Sequence, residues 1–232
     1  MWLSRPMPPK PPMSRWMRRA DLLRYCRDLG WTDSPDLPEG LDGASGAEGV
    51  PDSLEGLAAF LKDCTRCPLS ERRKNVVFGE GSSTARLLFV GEGPGAEEDR
   101  TGRPFVGQAG RLLDGMIVAL GLNRRDVYIA NVVKCRPPRN RDPEAGEMAM
   151  CSPFLERQID LIKPAVIIAL GRIAARYLTG SDRSMGALRG RWSQYHGISL
   201  MPTYHPAYLL RSPLEKRKVW EDLKMVAERL AG

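Results

Sequence analysis

The sequence predicts an α/β protein, with a three-layer α/β/α domain built on a central, mostly parallel four-stranded sheet. Three observations carry this. Four short runs are almost wholly apolar, as strands covered on both faces must be. Segments with helical spacing separate them, the alternation that builds parallel sheets. Loops rich in Gly, Pro and polar residues leave the ends of three of these runs, where such folds carry their ligands.

The elements follow in order. The domain is expected to begin at Ser53, whose helix "SLEGLAAFLKDC" delivers its last turn to Cys64. "RLLFVGE" (86–92) is the first strand, with a Gly-rich exit from Gly91 to Gly95. "QAGRLLDGMIVAL" (108–120) follows as a helix, placing Leu112, Leu113, Met116 and Ile117 on one face. "DVYIANVV" (126–133) is the second strand and "EAGEMAMCSPFLERQIDLI" (144–162) a helix despite Pro153. "KPAVIIAL" (163–170) is the third strand, backed by the short helix "GRIAARYLTG". "GISLMPTYHP" (197–206) is the fourth, and "SPLEKRKVWEDLKMVAERL" (212–230) closes the chain as an amphipathic helix. No internal repeat is visible.

Residues 1–52 read as an appendage: a basic segment broken by prolines, a short helix over 20–30, and a Pro/Gly/Asp/Ser linker, largely disordered. The opening lacks the compact apolar core of a secretory signal, and no run approaches eighteen apolar residues. The expectation is a cytoplasmic monomer with no membrane association.

Charge is uneven. The chain carries a net +7, yet residues 21–60 hold two basic and nine acidic residues. The remainder is therefore strongly basic, which points to a polyanionic partner, nucleic acid first. A solvated basic face would give the same count.

Four of the five cysteines pair up as Cys64 with Cys67 and Cys135 with Cys151, while Cys26 stands apart in the appendage. Disulfides are disfavoured in a cytosolic setting, so four thiolates suggest structural zinc or an iron–sulfur cluster. The wide separation of the second pair leans toward a cluster held between a loop and a helix.

The loop "GEGPGAEEDRTGRPFVG" is neither a P-loop nor a dinucleotide fingerprint. Gly93 and Gly95 would let a flat ligand approach the backbone. Phe105 is a core residue or a stacking platform. Asn131 ends an apolar run, and its amide can anchor structure or read the donor–acceptor edge of a base. Of two histidines, His196 lies in a polar turn, whereas His205 follows a strand and precedes a proline, which makes it the catalytic candidate. "HPAYLLR" (205–211) places apolar side chains beside Arg211 on a loop, the pattern of a DNA wedge with a phosphate clamp.

Taken together, "CTRCPL" (64–69), "GEGPGAEEDRTGRPFVGQAG" (91–110), "YIANVVKCRPPRNRDP" (128–143), Cys151 and "HPAYLLR" resemble the iron–sulfur uracil-DNA glycosylases, also called family 4 or thermostable type. The resemblance spans residues 53–230. It implies hydrolysis of the N-glycosidic bond of deoxyuridine in DNA, releasing uracil and leaving an abasic site in base excision repair. It implies one [4Fe–4S] cluster on Cys64, Cys67, Cys135 and Cys151. By the same resemblance, Gly91 and Gly93 line the substrate loop, and Glu92 holds the water or the sugar face. Glu98 lies near C5 of the base and keeps thymine out, Phe105 stacks on the flipped uracil, Asn131 bonds its polar edge, and His205 donates toward O2. Lys134, Arg136, Arg139 and Arg141 are expected at phosphates, with Leu209 and Arg211 as wedge and clamp.

Two departures matter. Gly93 stands where the best-known uracil glycosylases carry a catalytic Asp, which is usual in this family but leaves water positioning unassigned. No His lies between Phe105 and Asn131, which separates the chain from a related covalent uracil-binding subgroup. The rival readings are a non-enzymatic iron–sulfur DNA-binding protein and a zinc-stabilised nucleotide hydrolase.

Overall fold

The structure, a computed structural model, describes residues 51–232. The helix expected over 20–30 and the linker after it lie outside the described residues. Pro51–Gly232 forms one compact unit.

Among the described residues six strands form one sheet: β1 (Glu80–Gly81), β2 (Leu87–Gly91), β3 (Tyr128–Asn131), β4 (Val166–Leu170), β5 (Ser193–Tyr195) and β6 (Ile198–Thr203). Their order is β1-β3-β2-β4-β6-β5. The four central strands are mutually parallel and are those expected from the sequence. The expectation of four strands is corrected to six, because an antiparallel strand closes each edge. β1 has two residues and β5 reads "SQY", so neither shows an apolar run. β5 reaches β6 through His196 and Gly197, both at positive φ (48° and 83°), the backbone a type I′ hairpin needs.

Among the described residues, eight α-helices accompany the strands: α1 (Leu54–Leu61), α2 (Ala96–Thr101), α3 (Gln108–Ala119), α4 (Ala145–Ile162), α5 (Gly171–Thr179), α6 (Met185–Leu188), α7 (Pro206–Arg211) and α8 (Lys216–Ala231). Ser53 caps α1, accepting from Gly56 N–H at 3.0 Å. Strand alternation then sorts the core into two layers. Leu88, Val90, Ala130 and Ile167 pack with Leu155 and Ile159 of α4 and Ala174 and Leu178 of α5. Leu87, Phe89, Ile129 and Ile168 pack with Leu113 and Ile117 of α3 and Leu223 and Val226 of α8. Each fully buried aliphatic or Phe side chain contributes roughly 1.5–3 kcal/mol, so the central strands β2 and β4, buried along their whole length, contribute heavily to the stability of this unit.

From β2 the chain moves outward to β3, then crosses back over β2 to β4. That reversal opens a crevice at the carboxyl ends of β2, β3 and β4, the position at which open α/β sheets bind ligands.

Candidate active site

Gly91 and Asn131 end the adjacent strands β2 and β3, and His205 lies just beyond the end of β6, two strands from β2. Gly91 closes β2 opposite Asn131 of β3. A Cβ on Gly91 would stand 2.4 Å from Asn131 Oδ1 and 2.6 Å from Phe105 Cζ, so only glycine lets ring and carboxamide meet there. Phe105 also packs against His205, ring centroids 5.6 Å apart. The four residues thus form one contiguous cluster.

Phe105 is held in an unusual backbone state, φ 50°, which a bulky side chain adopts only when its surroundings impose it. They do so from two sides. Glu98 Oε1 accepts from the amides of Val106 and Gly107, each at 2.9 Å. Arg124 donates to Phe105 O at 3.2 Å and to Pro104 O, while pairing with Asp114 at 2.8 Å and Glu80 at 3.3 Å. Arg124 has no signature in the sequence, since it acts on a loop about twenty positions away.

Asn131 is fully buried, and its Oδ1 has no hydrogen-bond partner among the described residues. An unsatisfied buried acceptor costs about 1–3 kcal/mol, and a ligand that donates to it removes the penalty.

His205 caps α7, its Nδ1 accepting from Ala207 N–H at 3.1 Å. That bond leaves the proton on Nε2, the nitrogen free to donate. Burial, aided by nearby Arg211 and opposed by Glu98, pushes the ring down to about 4. It is neutral at physiological pH. Gly171, at φ 85°, opens α5 against it: a Cβ there would stand 2.8 Å from His205 Cβ.

Glu92 is half-buried one residue beyond β2. Burial first, then the charge of Asp142, pushes it up to about 7 against the pull of Arg172. Asp142 and Arg172 form an ion pair beside it. Gly93 abuts Val133, where a Cβ would stand 2.7 Å from Cγ2.

The four cysteines converge. Cys135 and Cys151 are buried, Cys64 and Cys67 half-buried. Burial pushes the Cys67 thiol up to about 11, with Cys135 and Cys64 adding to the shift. Burial likewise takes Cys151 up to about 12, with contributions from Cys135 and Cys67. Arg73, invisible to motif reading, bridges the two pairs: it donates to Cys64 O at 2.5 Å and to Cys135 Sγ at 3.4 Å. Thiols from two distant segments thus influence one another. No three His, Cys, Asp or Glu side chains among the described residues gather as a single metal ion would require.

Two expectations for DNA contact are corrected. Lys134 is 1% exposed and bonded inside the protein, so it does not face a phosphate. Leu209 is also 1% exposed and packs in the core, because "PAYLLR" forms α7 rather than a loop. Its neighbours Tyr208 and Leu210 are the exposed apolar residues there. Arg139 and Arg211 are exposed. Arg136 bonds Asn140 Oδ1 at 2.7 Å, and Arg141 grips the buried Glu147 at 2.8 and 2.6 Å.

Residues 78–224 match the model of the uracil DNA glycosylase superfamily. A type-4 uracil-DNA glycosylase of Saccharolobus solfataricus is 47% identical over 190 residues, covering 78% of this chain and 88% of that protein. One from Thermotoga maritima is 49% identical over 175 residues, covering 74% and 91%. One from Sulfurisphaera tokodaii is 46% identical over 186 residues, covering 76% and 84%.

Proposed function

Because the chain belongs to the type-4 uracil-DNA glycosylases, within the uracil-DNA glycosylase superfamily, we propose that the pocket formed by Gly91, Phe105, Asn131 and His205 receives uracil flipped out of DNA. The enzyme excises uracil from DNA in base excision repair. It hydrolyses the N-glycosidic bond and leaves an abasic site.

The buried, unsatisfied Oδ1 of Asn131 beside the Phe105 ring carries this assignment. A base inside a duplex is out of reach, so it must leave the stack, and pocket contacts must replace what it loses. Phe105 offers a stacking face. Asn131 Oδ1 accepts from uracil N3–H, and the carboxamide NH2 donates to O4. Cytosine lacks that N3 proton, so the same pair discriminates against it. Glu98 acts behind the ring: by tethering the Phe105 loop it denies room to thymine's 5-methyl group.

Bond cleavage develops positive charge on the sugar and negative charge on the departing base. A preorganised donor at uracil O2 is the most effective aid, and the proton on Nε2 of neutral His205 serves as that donor. Glu92, once ionised, orients water and faces the cationic sugar. Only one carboxylate is needed near the sugar, so the paired-acid scheme of glycoside hydrolases does not apply.

Cys64, Cys67, Cys135 and Cys151 would hold a [4Fe–4S] cluster, which when bound supplies a rigid thiolate cross-link between residues 64–67 and 135–151. Hydrolysis moves no electron. Arg139, Arg136 and Arg211 meet phosphates, and exposed Leu210 takes the wedge position that buried Leu209 cannot fill.

The test is incubation with uracil-containing and matched thymine-containing oligonucleotides, followed by alkaline cleavage at abasic sites. Strand cleavage is expected only with uracil. No cleavage above the buffer control overturns the reading.

A further inference from the structure

Lys134 is a fully buried lysine that the proposed chemistry does not use. Its side chain folds back three residues and donates from Nζ to Asn131 O at 2.9 Å and to Gln158 Oε1. Gln158 is itself fixed, its Nε2 donating to Phe78 O at 3.0 Å and to Tyr128 OH at 3.2 Å. Neither acceptor of the ammonium is a carboxylate. Through the main chain, Lys134 N–H also donates to Cys151 Sγ at 3.2 Å, and the next residue is Cys135. One residue therefore touches the cysteine set through its backbone and the pocket through its side chain.

β3 ends at Asn131. The main-chain bonds of Val132 to Gly91 O and of Val133 to Glu92 O carry the chain onward, and the Asn131 carbonyl is clamped by the lysine. Without Nζ, two buried acceptors, Asn131 O and Gln158 Oε1, lose their shared donor. The backbone at residue 131 can then rotate to find another, and its carboxamide moves with it.

We propose that Lys134 is a positioning residue for uracil recognition, holding Asn131 beneath the Phe105 ring and tying that geometry to the cysteine-bound cluster. This rests on the reading of Asn131 as the base-recognising residue. Lys134 acts through Asn131 and touches neither base nor DNA.

The test is a double-mutant cycle on the holoprotein, read as affinity for free uracil and backed by iron content. Lys134→Met keeps the length of the side chain and removes its donor. It is expected to weaken uracil binding about tenfold, Asn131→Ala to weaken it at least as much, and the double variant to bind no worse than Asn131→Ala alone. Unchanged binding in Asn131→Ala defeats the pocket reading itself. Weakening in Asn131→Ala with none in Lys134→Met overturns the inference and leaves the pocket standing. Losses that multiply in the double variant also overturn it, since they mark general structural damage. If Lys134→Met does not fold, Gln158→Leu takes its place in the cycle, removing the partner that aims Nζ. Its loss must likewise vanish in the Asn131→Ala background.

Discussion

The segment from Asn131 to Arg141 joins two regions built on opposite principles. At its start, polar groups are buried and individually tethered: Asn131 and Lys134 are each 1% exposed, and His205 nearby is held by a backbone amide. Eight residues on, Arg139 stands in solvent on a turn where it and Asn140 both adopt positive φ, 54° and 55°. A buried group meets its ligand with little screening, so it decides which base reacts and how fast. An exposed charge works through water and salt, so it decides how strongly any DNA is attracted. Substitutions in the two regions should therefore fail in different ways.

The largest effect should fall on the buried side. His205→Asn removes the donor at uracil O2 and should slow single-turnover cleavage about 10²-fold, the usual loss for one oxyanion donor. Affinity for uracil-containing DNA, measured by anisotropy, should persist. Cleavage at the wild-type rate would remove His205 from the mechanism.

A second effect, up to about tenfold, belongs to Glu92 and pH. Its carboxyl is raised to about 7 by burial first and Asp142 next, with Arg172 opposing. His205, lowered to about 4, stays neutral across this range. Cleavage should thus rise with pH through about 7 as Glu92 ionises, then level off, and Glu92→Gln should abolish the rise. Asp142→Asn removes a repelling charge and frees Arg172, so it should move the midpoint to lower pH. Arg172→Met should move it higher. Stability runs the opposite way. A carboxyl raised on folding contributes stability that is full below its ordinary value of 4.5 and is lost as pH rises through about 7. Melting temperature should therefore decline over that window in the wild type relative to Glu92→Gln. A rate profile that keeps its rise in Glu92→Gln assigns the titration to another group.

How much of this was legible in the sequence depends on whether a residue's role is local. Gly91, Asn131 and His205 each end an apolar run, and the run itself reports where the strand stops. The four central strands were legible for the same reason. β1 and β5 were not, because two or three residues on a sheet edge carry no periodicity. Leu209 was misread because His-Pro after a strand resembles the start of a loop. Once Pro206–Arg211 is helical, positions 206 and 209 fall on one face, and both are buried. Lys134 was misread because it neighbours arginines in the sequence, although its side chain turns back into the core. Arg73 and Arg124 left no local trace. Their partners lie 62 and 19 positions away, and only folding brings them together.

The smallest effect separates the two regions most cleanly. Arg139→Gln removes one exposed charge from a turn whose shape is fixed elsewhere: by Pro137 and Pro138, by the Arg136–Asn140 bond, and by Arg141 on buried Glu147. The turn should survive and lose only its attraction. Binding should weaken a few-fold, alike for uracil-containing and ordinary DNA, and the slope of log affinity against log salt should fall by about one unit. Lys134→Met also removes one positive charge, only five residues earlier, yet it should leave the slope unchanged because that charge releases no counterion from DNA. Equal changes in slope for the two variants would mean that Lys134 reaches the DNA after all. Opposite behaviour, with Arg139→Gln altering salt dependence and Lys134→Met altering uracil affinity, is what burial dictates for two cations on one short stretch of chain.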